Sequence, residues 1–263
     1  MWRIVIVAAL FLSLWAGGAS SAHAIRPVES ADPPTPVAPT KAPDAKPPAL
    51  AVLVPDPKPP LLPAEIPNPK PTVYVALSAS DGLGMGSAGP HESWVARVHE
   101  RMGKRTKLVN IARPNALVWD INDAELKRAV EAKPQVVTVW LGVNDFRLLV
   151  PLSEYSKQLD QTLAALKKTG AEVYVGNLPD VSLLPWVPPF LKSFVRSEAE
   201  RWNAEIKVQA RRNGAHVVDL FAGLYVVDPN SFLSPDGFHP NAAGYRRVAE
   251  VFWSQMSARG WEN

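Results

Sequence analysis

Short apolar runs alternate with amphipathic stretches from Thr72 to the end of the chain. The runs are rich in β-branched and aromatic residues and are apolar nearly throughout, which is typical of strands buried on both faces. Because each run leads into an amphipathic stretch, the pattern predicts an α/β fold, a three-layer αβα sandwich around a five-stranded, parallel, doubly wound sheet. The predicted strands are 72–78, 106–112, 135–142, 171–178 and 215–220.

Apolar residues at helical spacing predict the helices between these strands. Asn122 and Ser153 are the expected N-caps of two of them, and Gly170 and Gly214 follow the last turns of two. Ligands of such sheets bind at the carboxyl ends of the strands, so functional residues are expected just after each strand. The predicted helices are 91–103, 122–133, 153–170, 193–213 and 241–260.

The pattern before Thr72 is different and predicts two segments that precede the folded domain. Residues 1–24 combine Arg3, an apolar run at 4–16 that is short for a membrane span, and small residues at 22 and 24. These features predict a cleaved signal peptide and export to the periplasm or the extracellular space, with an uncleaved anchor as the alternative. Residues 25–71 hold 16 of the 27 prolines and predict a disordered, extended linker. The folded domain is therefore expected at 72–263.

Composition excludes several classes of function. The chain has no cysteine, so it forms neither disulfides nor thiolate metal sites. The formal net charge is only +3, and the basic residues are dispersed in pairs such as Arg211 with Arg212. This dispersal favours solvated faces over a nucleic-acid surface. We expect no nucleic-acid partner, no membrane span once the leader is removed, and a monomer.

A glycine-rich stretch after the first strand, "SASDGLG" at 78–84, raises the question of nucleotide binding. Gly82 and Gly84 fit G-x-G, but Ser87 stands at the third glycine position of a dinucleotide fingerprint. The next predicted strand ends without the acidic residue that would hold a ribose, and no Gly-Lys-Ser/Thr follows. The stretch therefore does not predict a nucleotide site.

Polar groups suited to acyl transfer follow the other strand ends. Asn144 comes after the third strand, where we expect it at a loop tip, and Asp236 and His239 lie three residues apart on the last loop. A nucleophilic hydroxyl needs a neighbouring base, and that base needs an orienting acceptor. Ser80 is the candidate nucleophile; Ser78 is the rival, although it lies within the predicted strand.

These motifs resemble those of the SGNH hydrolase superfamily, the GDSL esterases and lipases, over about residues 72–260. The family's first block, G-D-S-x-x-x-G, corresponds to residues 78–84, with Ser80 on the nucleophile. Its third block, G-x-N-D, is intact at 142–145, and its last block, D-x-x-H, is intact at 236–239. Two departures stand out: Ser78 and Ala79 replace the usual Gly-Asp, and the second block lacks its glycine.

The resemblance implies a flavodoxin-like arrangement and a serine ester hydrolase without metal or organic cofactor. It implies that Ser80, Asp236 and His239 are catalytic, and that the Ser80 N–H and the Asn144 side chain stabilise the oxyanion. A second N–H is expected from Asn115, which tolerates a left-handed backbone, with Ala112 as a competing alignment. The expected substrates are carboxylic esters or thioesters of small molecules, lipids or carbohydrates. The alternatives are a polysaccharide O-acetyl esterase and a non-catalytic carbohydrate-binding relative.

An unusually apolar segment, "LLPWVPPFLKSF" at 183–194, follows the fourth strand. It leaves the sheet at the edge where the site is expected, so it is a candidate wall of an acyl-binding groove. Trp186 and Phe190 are the candidate substrate-binding residues. The alternative is that these side chains only cover the sheet edge and the following helix.

Overall fold

The structure, a computed structural model, describes residues 71–224 and 229–261. The predicted signal peptide at 1–24 and nearly all of the predicted linker at 25–71 lie outside the described residues. Within the described part, five parallel strands form one sheet in the order β2-β1-β3-β4-β5. The strands are β1 (Thr72–Ser78), β2 (Thr106–Ala112), β3 (Val136–Trp140), β4 (Glu172–Gly176) and β5 (His216–Val218).

The strand order places the point of topological reversal between β1 and β3. The chain runs outward from β1 to β2, returns across β1 to β3, and continues to β4 and β5. Ser78 at the end of β1 pairs with both Ala112 of β2 and Trp140 of β3, so the three strands end at one level. Such a reversal opens a crevice at the carboxyl ends of the strands. The predicted parallel, doubly wound sheet is confirmed.

Helices cover both faces of the sheet. One face is covered by α1 and α8, and the other by α2, α3, α5 and α6, as the two large apolar clusters show. The α-helices are α1 (Trp94–Arg101), α2 (Val118–Ile121), α3 (Ala124–Glu131), α4 (Val143–Arg147), α5 (Leu152–Lys167), α6 (Lys192–Asn213), α7 (Leu220–Gly223) and α8 (Ala242–Ser257). Short 3-10 helices lie at Ser80–Leu83, Pro90–Glu92, Val181–Leu183, Pro189–Leu191 and Pro229–Phe232.

Alternation along the strands divides the core into two clusters. Val75 and Leu77 of β1 face α5 and α6, whereas Tyr74 and Ala76 face α1 and α8. In the second cluster the Trp94 ring stacks on Phe252 at a centroid distance of 4.4 Å. Each such aromatic pair contributes about 0.5–1.5 kcal/mol beyond its buried area, so α1 and α8 are held together on the sheet.

Two helix starts differ from the sequence-based expectation. Asn122 does not cap α3, because its amide donates to the Gln158 side chain of α5 at 2.8 Å, and α3 follows Asp123 instead. Ser153 lies inside the first turn of α5, which begins after Pro151. Both predicted caps were wrong. The Asn122 side chain is hydrogen-bonded to another helix and does not cap its own. Pro151 can precede the first turn of α5 because a backbone N–H is not needed at a helix start.

The long helix α6 follows the sequence pattern closely. Its buried stripe includes Val195, Ala199, Trp202 and Ile206, as helical spacing predicts. Gly214 ends it in a left-handed conformation, with φ of 70°. Apolar periodicity therefore gave this element correctly, including its end.

Candidate active site

The candidate nucleophile lies at the sharp turn that follows β1. Ser80 is the first residue of the 3-10 helix Ser80–Leu83 and is only 4% exposed. Gly84 ends this helix in the left-handed region, and its N–H donates to the carbonyls of Ser80 and Asp81. The turn therefore presents the Ser80 hydroxyl at the carboxyl end of the central strand.

A continuous chain of side-chain hydrogen bonds leads away from that hydroxyl. The Ser80 Oγ lies 3.0 Å from the His239 Nε2, and the His239 Nδ1 lies 2.6 Å from the Asp236 Oδ2. The structure thus brings together the three residues expected to be catalytic. In contrast, the Ser78 Oγ is buried and has no hydrogen-bond partner among the described residues.

The loop that carries His239 is fixed by its own backbone. The Asp236 Oδ1 accepts hydrogen bonds from the N–H groups of Phe238 and His239, and the Ser234 N–H donates to the His239 carbonyl. Burial alone would raise the pKa of Asp236, but bonds from the His239 ring, the two N–H groups and Ser234 hold this pKa below its ordinary value. Asp236 is therefore ionised and able to orient a protonated imidazole.

Asn144 lines the same cleft as Ser80, but the prediction that it lies at a loop tip was wrong. It is in the first turn of α4 and 5% exposed, and its Nδ2 donates to the Ala116 carbonyl at 3.1 Å. The adjacent Asp145 accepts from the Val118 N–H at 3.1 Å. These two contacts tie the turn after β3 to the loop after β2, and one amide hydrogen of Asn144 stays available for a ligand.

Asn115 occupies the position where the family's second block carries glycine. Its φ is +58°, in the left-handed region that glycine favours. Its N–H, like that of Ser80, donates no hydrogen bond to any residue in the described ranges. Ala112 is instead the last residue of β2 and is paired with Ser78. The geometry therefore favours Asn115 over Ala112 as the second N–H donor.

The aspartate missing from the first block has a counterpart one residue after the nucleophile. The Asp81 Oδ2 accepts from the Trp94 indole at 2.6 Å, and its Oδ1 accepts from the Ala79 N–H at 3.2 Å. The pKa of Asp81 is raised to about 6, because the effect of burial exceeds the opposite effects of these hydrogen bonds and of the nearby His239. This residue was not among the predicted site residues, although an acidic side chain beside the nucleophile was the available signal.

Two neighbouring segments support the His239 loop. A Cβ on Gly86 would lie 2.7 Å from the His239 Cβ and from the Pro240 carbonyl, so only glycine fits there. The Trp186 indole N–H donates to the Gly237 carbonyl at 3.1 Å. Both contacts act on the turn between Asp236 and His239, and neither was predicted from the sequence.

A cleft opens at Ser80 and His239. Apolar side chains dominate its wall; they are Ala79, Ala116, Trp140, Leu141, Val143, Pro179, Val181, Leu184, Leu224, Phe238 and Pro240. The cleft therefore combines a nucleophile, a base and an apolar surface suited to an acyl group.

The apolar segment 183–194 contributes less to this wall than its composition suggests. Leu184 lines the cleft, whereas Trp186 and Phe190 do not, and Phe190 is 77% exposed. Leu184, Val187 and Val195 form a third apolar cluster, against which Trp186 packs. Part of the segment therefore packs against α6, and the substrate-binding role of Trp186 and Phe190 stays a prediction.

Two kinds of feature are absent from the described residues. No group of three or more His, Cys, Asp or Glu side chains suited to a metal ion occurs in the described ranges. No helix there is both long and apolar enough to cross a membrane.

The fold and the site together define a class of protein. A model of the GDSL-like Lipase/Acylhydrolase family matches residues 78–247, which contain every residue of the site described above. The chain belongs to this family, and the resemblance inferred from its motifs is confirmed.

Individual relatives are more distant. The chain is 23% identical over 158 residues to a GDSL-like esterase of Mycobacterium tuberculosis, covering 59% of this chain and 50% of that protein. It is 28% identical over 151 residues to an acetylxylan esterase of Xylanibacter ruminicola, covering 50% of this chain and 30% of that protein. The chain thus spans half the length of the first relative and less than a third of the second.

Solved structures show the same fold. The lipase/acylhydrolase from Enterococcus faecalis superposes with a TM-score of 0.59 at 17% identity, covering 72% of this chain and 96% of that one. The esterase EstA from Pseudoalteromonas sp., in a structure inhibited by monoethylphosphonate, gives 0.59 at 15% identity, covering 71% and 97%. At such low identity the likeness extends to the fold alone.

Proposed function

We propose that the chain is a serine ester hydrolase that acts on carboxylic esters or thioesters through an acyl-enzyme. The observation that carries the proposal is the hydrogen-bonded series from Ser80 through His239 to Asp236, in which Ser80 and His239 line an apolar cleft. Family membership supports the same reaction class.

The first half of the proposed reaction forms the acyl-enzyme. As the Ser80 Oγ attacks the ester carbonyl carbon, His239 takes the hydroxyl proton and Asp236 stabilises the resulting imidazolium. The carbonyl oxygen becomes an oxyanion that accepts from the N–H groups of Ser80 and Asn115 and from the Asn144 amide. When the tetrahedral intermediate collapses, His239 returns the proton to the leaving alcohol or thiol.

The second half hydrolyses the acyl-enzyme by the same groups. Water gives a proton to His239 and attacks the acyl carbon, and the oxyanion forms again at the same donors. Collapse releases the carboxylic acid and returns the proton to Ser80. The Asn144 bond to Ala116 keeps the amide oriented through both halves without consuming both of its hydrogens.

Hydrolysis of chromogenic esters from acetyl to octanoyl tests this function. The wild type is expected to hydrolyse them, whereas Ser80→Ala, which loses only a turn hydroxyl, is expected to be folded and inactive. His239→Ala should lose about 10³-fold or more, with no further loss when combined with Ser80→Ala. Near wild-type turnover in either single variant would contradict the assignment.

A polysaccharide O-acetyl esterase is the second candidate function. It is supported by the likeness to a relative named acetylxylan esterase, over half of this chain. The apolar cleft favours longer acyl groups, because each buried methylene contributes about 0.8 kcal/mol to binding. A wild type that prefers acetyl esters would favour the O-acetyl esterase, and a folded chain that hydrolyses no ester would favour a non-catalytic carbohydrate-binding relative.

We also propose that the chain is exported to the periplasm or the extracellular space. Arg3, the apolar run at 4–16 and the small residues at 22 and 24 support a cleaved leader. N-terminal sequencing of protein recovered from those compartments is expected to give Ile25 or a residue close to it. Recovery of the chain only from the cytoplasm, with Met1 intact, would contradict export.

A further inference from the structure

Arg147, the last residue of α4, is a half-buried cation without an anionic partner in the described chain. Its Nε is buried and has no hydrogen-bond acceptor among residues 71–224 and 229–261, and no carboxylate there pairs with its guanidinium. Burial lowers the pKa of this guanidinium, yet the group keeps its charge at any physiological pH.

Two other partly buried arginines among the described residues have hydrogen-bond acceptors for their Nε. The Arg97 Nε donates to the Glu92 carbonyl at 3.0 Å, and the Arg247 Nε donates to the Gly223 carbonyl at 2.8 Å. Withdrawing a cation from water without a partner is unfavourable, so an unpaired guanidinium next to a cleft is a candidate ligand-binding group. The guanidinium carbon lies 5.4 Å from the centroid of the Phe238 ring. This cation–π contact offsets only part of the lost hydration of the guanidinium.

That aromatic contact locates Arg147 at the rim of the catalytic cleft. Phe238 lines the cleft and precedes His239, and the centroids of the Phe238 and His239 rings are 5.0 Å apart. Arg147 also follows Asn144 by three residues in α4, which puts both side chains on the same side of that helix. The Phe238 ring therefore lies next to both the Arg147 guanidinium and the His239 imidazole.

We propose that Arg147 binds a compact oxyanion, a carboxylate or a phosphate, carried by the alcohol portion of the ester substrate. The guanidinium presents a planar fork of N–H donors that matches either anion. This inference rests on the ester hydrolase proposed above and narrows its substrates to esters of anionic alcohols.

The choice of the alcohol portion follows from the proton transfers. His239 must reach the leaving oxygen to protonate it, so the alcohol departs on the side of His239 and Phe238. Ala116 and Leu141 line the cleft and belong to an apolar cluster that Phe238 does not join, and an acyl chain is stabilised there by burial. An anion on the acyl chain would be desolvated there, whereas an anion on the alcohol meets Arg147.

Three matched esters test the proposal with the full chain: 1-butanoylglycerol, its 3-phosphate, and 3-butanoylglycerate. The wild type is expected to show a kcat/KM at least about 10-fold higher for one or both anionic esters than for the neutral one. Arg147→Gln should lower this anionic-to-neutral ratio about 10-fold, and Arg147→Lys should lower it less. The phosphate and carboxylate esters distinguish the two anions.

Arg128→Gln is the matched control, because Arg128 is an exposed arginine on α3, away from the cleft. It removes the same formal charge and is expected to leave the ratio unchanged. A wild type without preference for either anionic ester, or a ratio that Arg147→Gln does not change, would overturn the proposal. A wild type that hydrolyses the chromogenic esters but none of these three would overturn this proposal alone, whereas one that hydrolyses neither set would contradict the proposed function itself.

A measurement on the wild type alone guards against misfolding of the variants. Glycerol 3-phosphate, glycerate or both should inhibit hydrolysis of a neutral ester competitively, at a concentration at least about 10-fold lower than glycerol requires. Equal inhibition by all three compounds would also overturn the proposal.

Discussion

The Asp81 carboxylate accepts a 2.6 Å hydrogen bond from the indole of Trp94, and this contact anchors the turn that presents Ser80. The other carboxylate oxygen accepts from the Ala79 N–H, on the opposite side of the nucleophile. The turn that presents the serine is therefore stabilised by an aspartate that follows the serine. In the family's usual Gly-Asp-Ser block, the aspartate precedes the serine. Asp81 is a positioning residue, since its bonds run to the scaffold of the turn.

Asp81→Asn should lower kcat/KM by about 10- to 100-fold, because an amide has one acceptor oxygen and leaves one of the two donors unpaired. The loss should appear mainly in kcat, since the apolar wall of the cleft is unchanged. Steady-state kinetics measure the effect. Asp123→Asn is the control, because Asp123 is exposed and its side chain makes no capping hydrogen bond. Wild-type kcat in Asp81→Asn would show that the turn does not depend on this carboxylate.

Gly86→Ala should displace the catalytic base. The new methyl group would lie 2.7 Å from the His239 Cβ, at a residue whose φ is +91°. We expect a fall in kcat of about 100-fold or more, with a loss of stability of about 1–3 kcal/mol.

Gly214→Ala is the control variant, because it introduces backbone strain without a steric clash. Gly214 also has a left-handed φ, of +70°, but nothing lies within 4 Å of an added Cβ. This control should lose a comparable part of the stability while keeping kcat. Equal kcat values in the two variants would refute the close approach of Gly86 to the His239 loop.

Trp186→Phe should distinguish support of the His239 loop from recognition of the acyl chain. The variant keeps an aromatic ring but loses the donor to the Gly237 carbonyl. We expect kcat to fall about 10-fold for every ester from acetyl to octanoyl, with the chain-length profile preserved.

Leu184→Ala is the matched comparison, because Leu184 lines the cleft and should change the chain-length profile. If Trp186→Phe flattened the profile while Leu184→Ala left it intact, Trp186 would be the wall of the acyl groove instead.

Asp145→Asn should change the dependence of stability on pH. Asp145 is fully buried, and burial raises its pKa from 3.8 to about 6. A carboxyl that binds its proton more tightly in the folded state stabilises the fold fully below about pH 4 and loses this contribution as the pH rises to 6.

The free energy of unfolding of Asp145→Asn, minus that of the wild type, should therefore increase by about 1–3 kcal/mol between pH 4 and pH 7. Urea unfolding of both proteins at several pH values measures this difference. A difference that stays constant or falls over this range would contradict the burial of a carboxylate at Asp145.

The sequence predicted the parts of the site that depend on strand ends. Apolar runs located β1 and β3, and the carboxyl ends of parallel strands necessarily converge, so Ser80 and Asn144 could be assigned to one edge. His239 followed from its spacing to Asp236. In contrast, the Asp81–Trp94 and Trp186–Gly237 bonds depend on side-chain directions between separate elements, which periodicity does not encode.

The same limit explains the wrong helix starts and the segment after β4. The sequence around Asn122 predicts a helix cap, but the Asn122 amide is hydrogen-bonded to a side chain on α5. The composition of 183–194 indicated burial, but not which side chains would face the cleft and which would face α6. Local pattern thus determines the elements, whereas tertiary packing decides which polar group meets which.

Labelling with 4-nitrophenyl ethylphosphonate tests the central claim, that Ser80 is the nucleophile activated by His239, most directly. A phosphonate ester transfers its phosphonyl group to an activated serine and releases 4-nitrophenolate. The folded wild type should release about one equivalent, and fragment mass spectrometry should find the adduct on Ser80, with none in His239→Ala. An adduct on Ser78 or on another residue, or no adduct in the folded wild type, would contradict the account.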